Sequence, residues 1–462
     1  MHASHTRLLL LVTVPLLGCA TRSDGSDPAE LDDLAAATCP TTKTKLEPSL
    51  VVRDATVLAR FSFSRTMTQL LASVGATAET TKTLYQGWMS TFGPDDCDNP
   101  KIDPNGYGLV CPRLPEFQLA GVDPTDPNDP TQFVPVGLFD RFDLAPTSGA
   151  NCGEYRIVYA MQSNFLVGRG FYIFEARLPN PHPEQGLAGC LPITEFWQGL
   201  SKVTDPTTLA NKLEKFYYLG TAIPGVGPVV DAHNYGLATN GSAHALGQIR
   251  SNMFIDNLQW HLREFKTHLD TSTVPPRLAI DHVTVKTNPA NEVFDGSSPN
   301  SDAFLQVFPD QVSALSSNDP ATIGMTIQNR FNEFESISHF DRNDVVYNLF
   351  ADPPMIAAIQ AKLTELGIPL APGDILSRAT TQTCAGCHEK SNGLPLGGGV
   401  IWPSSLGFVH IAEDKSMSPA LTVFLKHRRQ VLDAFIAANC GGATNVVDDG
   451  LTVGGSQLDA AN

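Results

Sequence analysis

Five segments within residues 133–286 alternate apolar and polar side chains, and this period of two restricts the possible fold more than any other feature. The segments read EYRIVYAM, FYIFEARL, HALGQIRSNMFI, LQWHLREFKTHL and LAIDHVTVK, and they are rich in β-branched and aromatic residues. Such alternation is typical of strands with one buried face. Because helical patterns precede these segments and return over residues 302–366, we expect an α+β domain over residues 51–366 with a mainly antiparallel sheet.

The strand segments also carry charged residues, whose orientation the sequence leaves open. They are Glu154, Arg156, Glu175, Arg177, Arg250, Arg263 and Glu264. These side chains either converge on one polar pocket or point outward from half-solvated strands, and we favour the outward orientation. The pairs Asp231–His233 and Asp281–His282 are interpreted as ordinary surface or core pairs. Residues 51–366 contain no nucleophile elbow, phosphate-binding glycine loop or H-E-x-x-H motif, so their role is not indicated.

The chain is acidic, with 48 aspartate and glutamate residues, 31 lysine and arginine residues and a formal net charge of −17. An excess of this size disfavours the phosphates of nucleic acids and the anionic surfaces of membranes as binding partners. We therefore expect no nucleic-acid partner.

The length of 462 residues favours two or three domains over a single core.

The N-terminus, MHASHTRLLLLVTVPLLGCATRSDGSD, is typical of an export signal. Arg7 provides a positive charge, and residues 8–17 form an apolar run shorter than the roughly 20 residues that span a bilayer. The end of this run resembles a bacterial lipobox, which implies that residues 1–18 are removed and that lipid-modified Cys19 becomes the first residue. The alternative is an ordinary signal peptide with a cysteine near its cleavage site. Residues 19–50 then form a polar, lipidated tether.

The lipobox resemblance implies that the mature chain is held to a membrane by its lipid. Ala20 follows the cysteine, whereas an aspartate at that position is the inner-membrane retention signal of well-known lipoproteins. We therefore expect anchoring in the outer membrane, with the protein facing the periplasm or the cell surface.

The cysteine count fits an exported chain, because disulfides persist outside the cytoplasm. Of nine cysteines, one is assigned to lipid and two belong to the motif described next. The remaining six form an even set, which suits disulfides, although several pairings are possible. Pairing of neighbours predicts the disulfides Cys97–Cys111, Cys152–Cys190 and Cys39–Cys440.

The stretch TTQTCAGCHEKSNG contains Cys384, Cys387 and His388 in the order C-x-x-C-H. In an exported chain this order is the attachment signature of a c-type haem. The two thiols bond to the vinyl groups of the porphyrin, and His388 lies about one helical turn after Cys384, so that its imidazole reaches the iron. A disulfide-exchange motif and half of a zinc site are the alternatives, but a thioredoxin-like context and a second ligand pair are missing. We expect one covalent haem c with His388 as the proximal iron ligand.

Helical patterns flank the motif on both sides. Asp374 is positioned to cap a helix that leads into it, and Ser418 with Pro419 begins a second amphipathic helix after it. This order of helix, motif, glycine-rich loop and final helix resembles a class I cytochrome c. The resemblance covers residues 367–443 and implies a small all-α cytochrome c-like domain there, followed by a flexible tail over residues 444–462.

The resemblance also implies a distal iron ligand, because Met417 stands just before the final helix, where a class I cytochrome has its methionine. His410 lies in the same short segment and is the competing donor, and His427 within the helix or an open site are further alternatives. Methionine raises the reduction potential relative to histidine, whereas an open site permits peroxide or oxygen chemistry.

The haem motif favours electron transfer, in which the chain exchanges electrons with a redox partner protein or a small-molecule donor or acceptor. One alternative is a haem-dependent oxidoreductase in which the α+β domain binds and oxidises a substrate. Another is a surface-binding protein with a structural haem. The response of the absorption spectrum to added ligands distinguishes electron transfer from chemistry at the haem.

Overall fold

The computed structural model describes residues 43–75, 79–97, 103–162, 168–238, 244–255, 259–338 and 347–440. The predicted signal peptide, Cys19 and the tail over residues 444–462 lie outside these ranges. Within the ranges described, no helix combines the length and the apolar character that crossing a bilayer requires.

One antiparallel sheet forms the centre of the described chain. Its strands are β1 (Val51–Val52), β2 (Phe133–Arg141), β3 (Asn151–Met161), β4 (Arg169–Pro179), β5 (Gln248–Ile255), β6 (Gln259–Asp270), β7 (Arg277–Val283) and β8 (Ser336–Ile337). From β1 to β7 each strand pairs with the next one along the chain, and β8 pairs with β6. The five segments with a period of two form β3 to β7, which confirms the predicted antiparallel sheet.

Helices surround this sheet. They are α1 (Leu46–Ser49), α2 (Ala55–Leu58), α3 (Phe63–Ser73), α4 (Thr81–Ser90), α5 (Pro94–Cys97), α6 (Leu114–Gln118), α7 (Leu191–Leu200), α8 (Pro206–Glu214), α9 (Asn291–Phe294), α10 (Ser301–Val307), α11 (Val312–Leu315), α12 (Tyr347–Phe350), α13 (Pro353–Leu366), α14 (Pro372–Thr380) and α15 (Pro419–Asn439). Tighter 3₁₀ turns cover Leu119–Gly121, Phe142–Leu144, Pro183–Cys190, Ala232–Tyr235, Phe308–Gln311 and Asn329–Phe331. Wider π-helical turns cover Lys215–Leu219 and Gly386–Lys390.

Side chains explain where the two helices beside the C-x-x-C-H motif begin. The Ser418 hydroxyl accepts the backbone N–H of Leu421 at 2.9 Å and caps α15, as predicted. Asp374 does not cap α14, because that helix begins earlier, at Pro372. The Asp374 carboxylate instead accepts the backbone N–H of Ala371 at 2.9 Å. A carboxylate near the start of a helix can cap the helix from the position before it, or it can lie in the first turn and accept the backbone N–H of the residue before the helix. The sequence does not distinguish these two arrangements.

One face of the sheet carries aromatic side chains, against which α3 and α4 pack. The rings of Trp88 on α4 and Tyr172 on β4 have centroids 4.4 Å apart. Those of Phe63 on α3 and Tyr159 on β3 are 5.4 Å apart. All four side chains are buried. Since burying one large apolar side chain stabilises a fold by about 1.5–3 kcal/mol, this layer contributes strongly to the core.

The C-terminal part of the chain covers the opposite face of the sheet. The ring of Phe408 stacks on that of Trp260 with centroids 5.4 Å apart, and the side-chain amide of Asn252 donates to the Phe408 carbonyl at 3.0 Å. Gly137 on β2 leaves room for Ile411, because a Cβ at Gly137 would lie 2.8 Å from the Ile411 Cδ1 atom. The loop before α15 therefore lies directly on the sheet.

The predicted fold class is wrong in its second part, because the described residues 367–440 do not form a small all-α cytochrome c-like domain. Leu425 and Phe435 of α15 share a core with the sheet. Ile375 and Leu376 of α14 belong to a second core, which includes residues of α13. The two helices expected to pack together thus have different partners. An apolar stripe shows that one face of a helix is buried, but it does not identify the surface that covers it.

The structure places disulfides where pairing of neighbours predicts them, at Cys97–Cys111 and Cys152–Cys190. Cys39 lies outside the described residues, and the predicted Cys39–Cys440 disulfide with it. The two cysteines of the C-x-x-C-H motif carry reduced thiols.

Candidate functional site

A cavity of about 370 Å³ lies between the sheet and the C-terminal segment that covers it. Its walls come mainly from β2 to β6, residues 320–325, residues 381–388, residues 402–411 and α15. This volume falls within the range of about 300–1,000 Å³ that is typical of small-molecule sites. The cavity is therefore large enough to be a ligand site, and its chemistry is set by the side chains on these five walls.

The C-x-x-C-H motif sits on a turn that requires its glycine. The hydroxyl oxygen of Thr383 accepts the backbone N–H of Gly386 at 2.9 Å, which begins the helical turn after α14. A Cβ at Gly386 would lie 1.7 Å from the carbonyl oxygen of Thr380, so that no larger residue fits. The π-helical turn that follows carries His388. Cys384, Cys387 and His388 all line the cavity.

The donors considered for the distal iron position lie in different places. Among the described residues, the cavity wall includes His410 and His427 but not Met417. Met417 forms a β-bridge with Ile411 and packs against the sheet core. His410 lies beside the histidine of the motif, and the ring centroids of His388 and His410 are 4.4 Å apart. His410 is thus the donor that the structure brings to the motif.

The imidazole of His388 is oriented through its Nδ1 atom, which lies 2.8 Å from the Phe408 carbonyl oxygen. A carbonyl oxygen can only accept, so Nδ1 carries the proton and Nε2 has a free lone pair. Hydrogen bonds of this kind accompany most metal-ligating histidines. Because Phe408 lies on the sheet, the sheet helps to hold His388 in this orientation.

His410 is held between the motif and the start of α15. Its Nδ1 atom is 3.0 Å from the Ser418 hydroxyl oxygen, and its Nε2 atom is 3.4 Å from the Cys387 sulfur. The Ser418 hydroxyl thus contacts the His410 ring as well as the first turn of α15. The Nε2 atom of His410 is directed toward the motif, where an iron would need it.

Both imidazoles are neutral near pH 7. Burial lowers the pKa of His388 to about 4, and the positive charges of Arg250 and Arg156 act in the same direction. Burial also lowers the pKa of His410 far below its ordinary value, assisted by the His388 ring and by the charge of Arg428. Neutral imidazole is the form that binds a metal, so both side chains are ready to act as ligands.

Basic side chains dominate the charged part of the cavity wall. The charged residues on the wall are Arg141, Asp143, Arg156, Glu175, Arg250, Lys286 and Arg428. In a chain with a net charge of −17, this local excess of positive charge favours an anionic ligand. The outward orientation predicted for the strand charges is wrong, because Glu154, Glu175 and Glu264 are buried while Arg156 and Arg250 face the cavity.

The sheet arginines of the cavity are paired with buried glutamates. Arg156 contacts Glu154 and lies 3.0 Å from Glu175. Arg250 lies 3.4 Å from Glu175 and 3.1 Å from Glu264. The sheet register places Arg156 opposite Glu175 and Arg250 opposite Glu264, which makes these cross-strand pairs. The spacing of Glu154 and Arg156, two residues apart on one strand, is the sequence signal that places both on one face.

The two acid–imidazole pairs lie away from the cavity. His233 Nδ1 is 2.8 Å from an oxygen of Asp231 at an exposed site, so the prediction of an ordinary surface pair is confirmed there. Asp281 pairs with His268 at 2.5 Å rather than with His282. The Nε2 atom of His282 instead lies 3.0 Å from a backbone carbonyl oxygen.

The residues around the cavity fit a covalently bound haem in their chemistry. The thiols of Cys384 and Cys387 stand beside the His388 imidazole, whose Nε2 atom has a free lone pair, and the positive wall suits the carboxylates that a haem carries. The contact between His388 and His410 has to open to admit iron, because each bond from a metal to a histidine nitrogen is about 2 Å long. No protein-family model, curated protein or solved structure matches this chain.

In protein prepared without haem, Cys387 should react slowly with iodoacetamide. Burial raises the pKa of its thiol from an ordinary value of 9.0 to about 11, and only the thiolate attacks the reagent. At pH 7.5 we expect a rate about a hundredfold below that of a small thiol, rising about tenfold per pH unit up to pH 11. Mass-resolved labelling of a Cys384→Ser variant measures this rate, with glutathione as the reference. Equal rates for the two thiols at pH 7.5 would contradict the prediction.

Proposed function

We propose that this chain is an exported c-type haem protein that transfers electrons. Cys384 and Cys387 hold one haem c through thioethers, and His388 and His410 bind the iron from its two sides. The observation that carries this proposal is the convergence of the Cys384 and Cys387 thiols and two neutral imidazoles on one cavity. The His388 imidazole is held at Nδ1, which leaves its Nε2 atom for the iron, whereas the Nε2 atom of His410 would exchange its contact with the Cys387 sulfur for the iron.

The Cys387 thiol is poorly suited to disulfide exchange. Exchange depends on a thiolate near neutral pH, whereas burial raises the pKa of Cys387 to about 11. Haem attachment takes place once, during assembly, and needs no reactive thiol in the folded chain. The raised pKa therefore favours the haem interpretation of the motif over the redox-dithiol interpretation.

When bound, the haem supplies an iron that changes between two oxidation states. Residues of the loop 402–411 and of α15 line the cavity. Bound by His388 and His410, the iron would be closed to small ligands and would have a lower reduction potential than with a methionine ligand. These properties suit electron exchange with a redox partner protein or a small-molecule donor or acceptor.

An absorption spectrum of the reduced protein, recorded with and without carbon monoxide, tests this role. Two tight axial ligands predict a spectrum that carbon monoxide leaves unchanged over minutes. A rapid spectral change would mean that the iron has an open position, and the electron-transfer role would then be wrong.

A haem-dependent oxidoreductase is the second candidate, favoured by the charge of the cavity wall. Five basic side chains face the cavity against two carboxylates, which suits an anionic substrate beside the haem. This candidate requires an iron position that exogenous ligands can reach. A rapid response to carbon monoxide would therefore favour it over electron transfer.

We also propose that the chain is exported and anchored by lipid at Cys19. The disulfides Cys97–Cys111 and Cys152–Cys190 support an oxidising compartment, in which such bonds persist. The lipobox-like sequence supports lipid attachment, and Ala20 supports the outer membrane as the destination.

The mature protein should accordingly begin at Cys19 and carry acyl chains. Two or more chains bind a membrane stably, whereas a single chain binds marginally. The intact mass of protein extracted from membranes with detergent tests this, and Cys19→Ser is the control that should lack the lipid. A mass that corresponds to cleavage elsewhere, without acyl groups, would refute the lipid anchor.

A further inference from the structure

Arg428 differs from the other arginines of the cavity because little negative charge compensates it. Its side chain lines the cavity from α15, and the residue is only 8% exposed. The Nε atom of Arg428 lies 3.7 Å from Asp143, which is long for an ion pair. Asp143 is already engaged by Arg141, whose Nε and Nη2 atoms each lie 2.9 Å from a carboxylate oxygen. One carboxylate thus serves two buried guanidinium groups.

Among the described residues, Asp140 is a second acid whose charge acts on Arg428, but it does not supply the missing charge. Burial raises the pKa of Asp140 to about 8, so this carboxyl group is mostly protonated at pH 7. Burial, together with the charge of Arg141, lowers the pKa of Arg428 to about 9. Burying a guanidinium without a full counter-charge destabilises the folded protein. Binding of an anion to that guanidinium offsets part of this cost.

The arginines on the sheet do not share this deficit. Arg156 contacts Glu154 and Glu175, and Arg250 contacts Glu175 and Glu264. Each of these guanidinium groups therefore faces two carboxylates at most 3.4 Å away. The uncompensated positive charge of the cavity wall lies on the side of α15.

We infer that Arg428 binds a carboxylate group inside the cavity, and that this group is one of the propionates of the haem. A guanidinium presents its N–H donors in one plane and can bind a carboxylate through two parallel hydrogen bonds. Arg428 is near the motif, since its charge acts on the pKa values of Cys387 and His410. The inference rests on the proposed function, because the haem brings the carboxylate.

The change Arg428→Met removes the charge and keeps an unbranched but shorter apolar side chain. In haem-free protein it should leave the thermal midpoint unchanged or raise it, because it removes a poorly compensated buried charge. In the haem-loaded protein the propionate loses its partner, and the pKa of the propionate should rise by about one to three units. An ionised propionate stabilises ferric iron, and protonation removes that effect. The reduction potential of the variant should therefore rise as the pH falls from 7 to 5, a range in which Asp140 stays mostly protonated and the potential of the parent stays nearly constant.

The experiment measures the reduction potential against pH for the haem-loaded full chain and three variants. These are Arg428→Met, Arg428→Lys and the control Arg429→Met, since Arg429 is next on α15 and is not on the described cavity wall. Arg428→Lys keeps the charge but loses the two parallel hydrogen bonds. The pH dependence of its reduction potential should therefore lie between that of the parent and that of Arg428→Met. Arg429→Met should match the parent.

Each outcome bears on a different claim. Haem staining of the denatured parent tests the proposed function, because covalent attachment does not need Arg428, and an unstained parent would overturn both proposals. A stained parent with equal pH profiles for Arg428→Met and Arg429→Met would overturn only the propionate site. A lower thermal midpoint of haem-free Arg428→Met would show a structural role for Arg428, and this result would also overturn the propionate site.

Discussion

Replacing His410 by alanine should open the iron to carbon monoxide. If His410 binds the iron as proposed, its imidazole competes with exogenous ligands for the distal position. If His410 occupies that position about 99% of the time, its removal raises the apparent affinity for carbon monoxide about a hundredfold. Titration of the reduced variant with carbon monoxide, followed by its absorption spectrum, measures the change.

The matched control is Met417→Ala, because the resemblance to a class I cytochrome c implies that this methionine is the distal ligand. The side chain of Met417 packs against the sheet core next to Ile411, so its loss should reduce stability by about 1–2 kcal/mol and leave carbon monoxide binding unchanged. The reverse result, in which Met417→Ala opens the iron and His410→Ala does not, would show that methionine is the ligand.

Replacing Arg378 by methionine should destabilise the fold more than any other single change considered for this chain. The Arg378 side chain is fully buried and donates to the carbonyl oxygens of Leu315, Ser317, Leu396 and Gly397, at 3.0, 2.7, 2.7 and 3.2 Å. Each carbonyl left without a donor costs about 1–3 kcal/mol, so we expect a loss of about 4 kcal/mol or more. Urea unfolding followed by circular dichroism measures this loss.

The control for Arg378 is Arg60→Met, which removes an exposed arginine. The side chain of Arg60 is 46% exposed and pairs with Glu214 at 3.2 Å, so its loss should change the free energy of unfolding by no more than about 0.5 kcal/mol. Arg378 is on α14, directly before the motif, and its loss should also lower the yield of haem-loaded protein. If Arg378→Met unfolds at the same urea concentration as Arg60→Met, the carbonyl contacts do not stabilise the fold as proposed.

The strands could be predicted from the sequence because the signal is local. In β3, Tyr155 and Tyr159 face the helices, whereas Arg156 and Val158 face the cavity, and this alternation is visible in the sequence itself. The C-x-x-C-H motif is equally local, because Cys384 and His388 are four residues apart, which is about one helical turn. Ser418 identifies the start of α15 for the same reason.

The pocket could not be predicted in the same way, because it depends on contacts between distant segments. The pairs of Arg156 with Glu175 and of Arg250 with Glu264 need the register of neighbouring strands, which the pattern within one strand does not contain. The outward orientation of these charges was a reasonable expectation for strands with a solvated face. The sheet is instead covered on both faces, so that the glutamates are buried and Arg156 and Arg250 face the cavity.

The choice between His410 and Met417 also depended on tertiary structure. Both residues lie in one short loop, and the resemblance to a class I cytochrome c favours the methionine. Phe408 and Ile411 contact the sheet, and these contacts determine which side of the loop before α15 faces the motif. These contacts direct His410 toward Cys387 and leave Met417 against the core.

Covalent attachment of haem at Cys384 and Cys387 is the central claim, and haem-peroxidase staining after denaturing electrophoresis tests it most directly. The parent chain and the variant Cys384→Ala/Cys387→Ala are exported from a host that carries haem-attachment machinery, with a known c-type cytochrome from the same host as the positive control. We expect a stained band at the mass of the parent and an unstained band of equal abundance for the variant. An unstained parent band beside a stained positive control would contradict the claim.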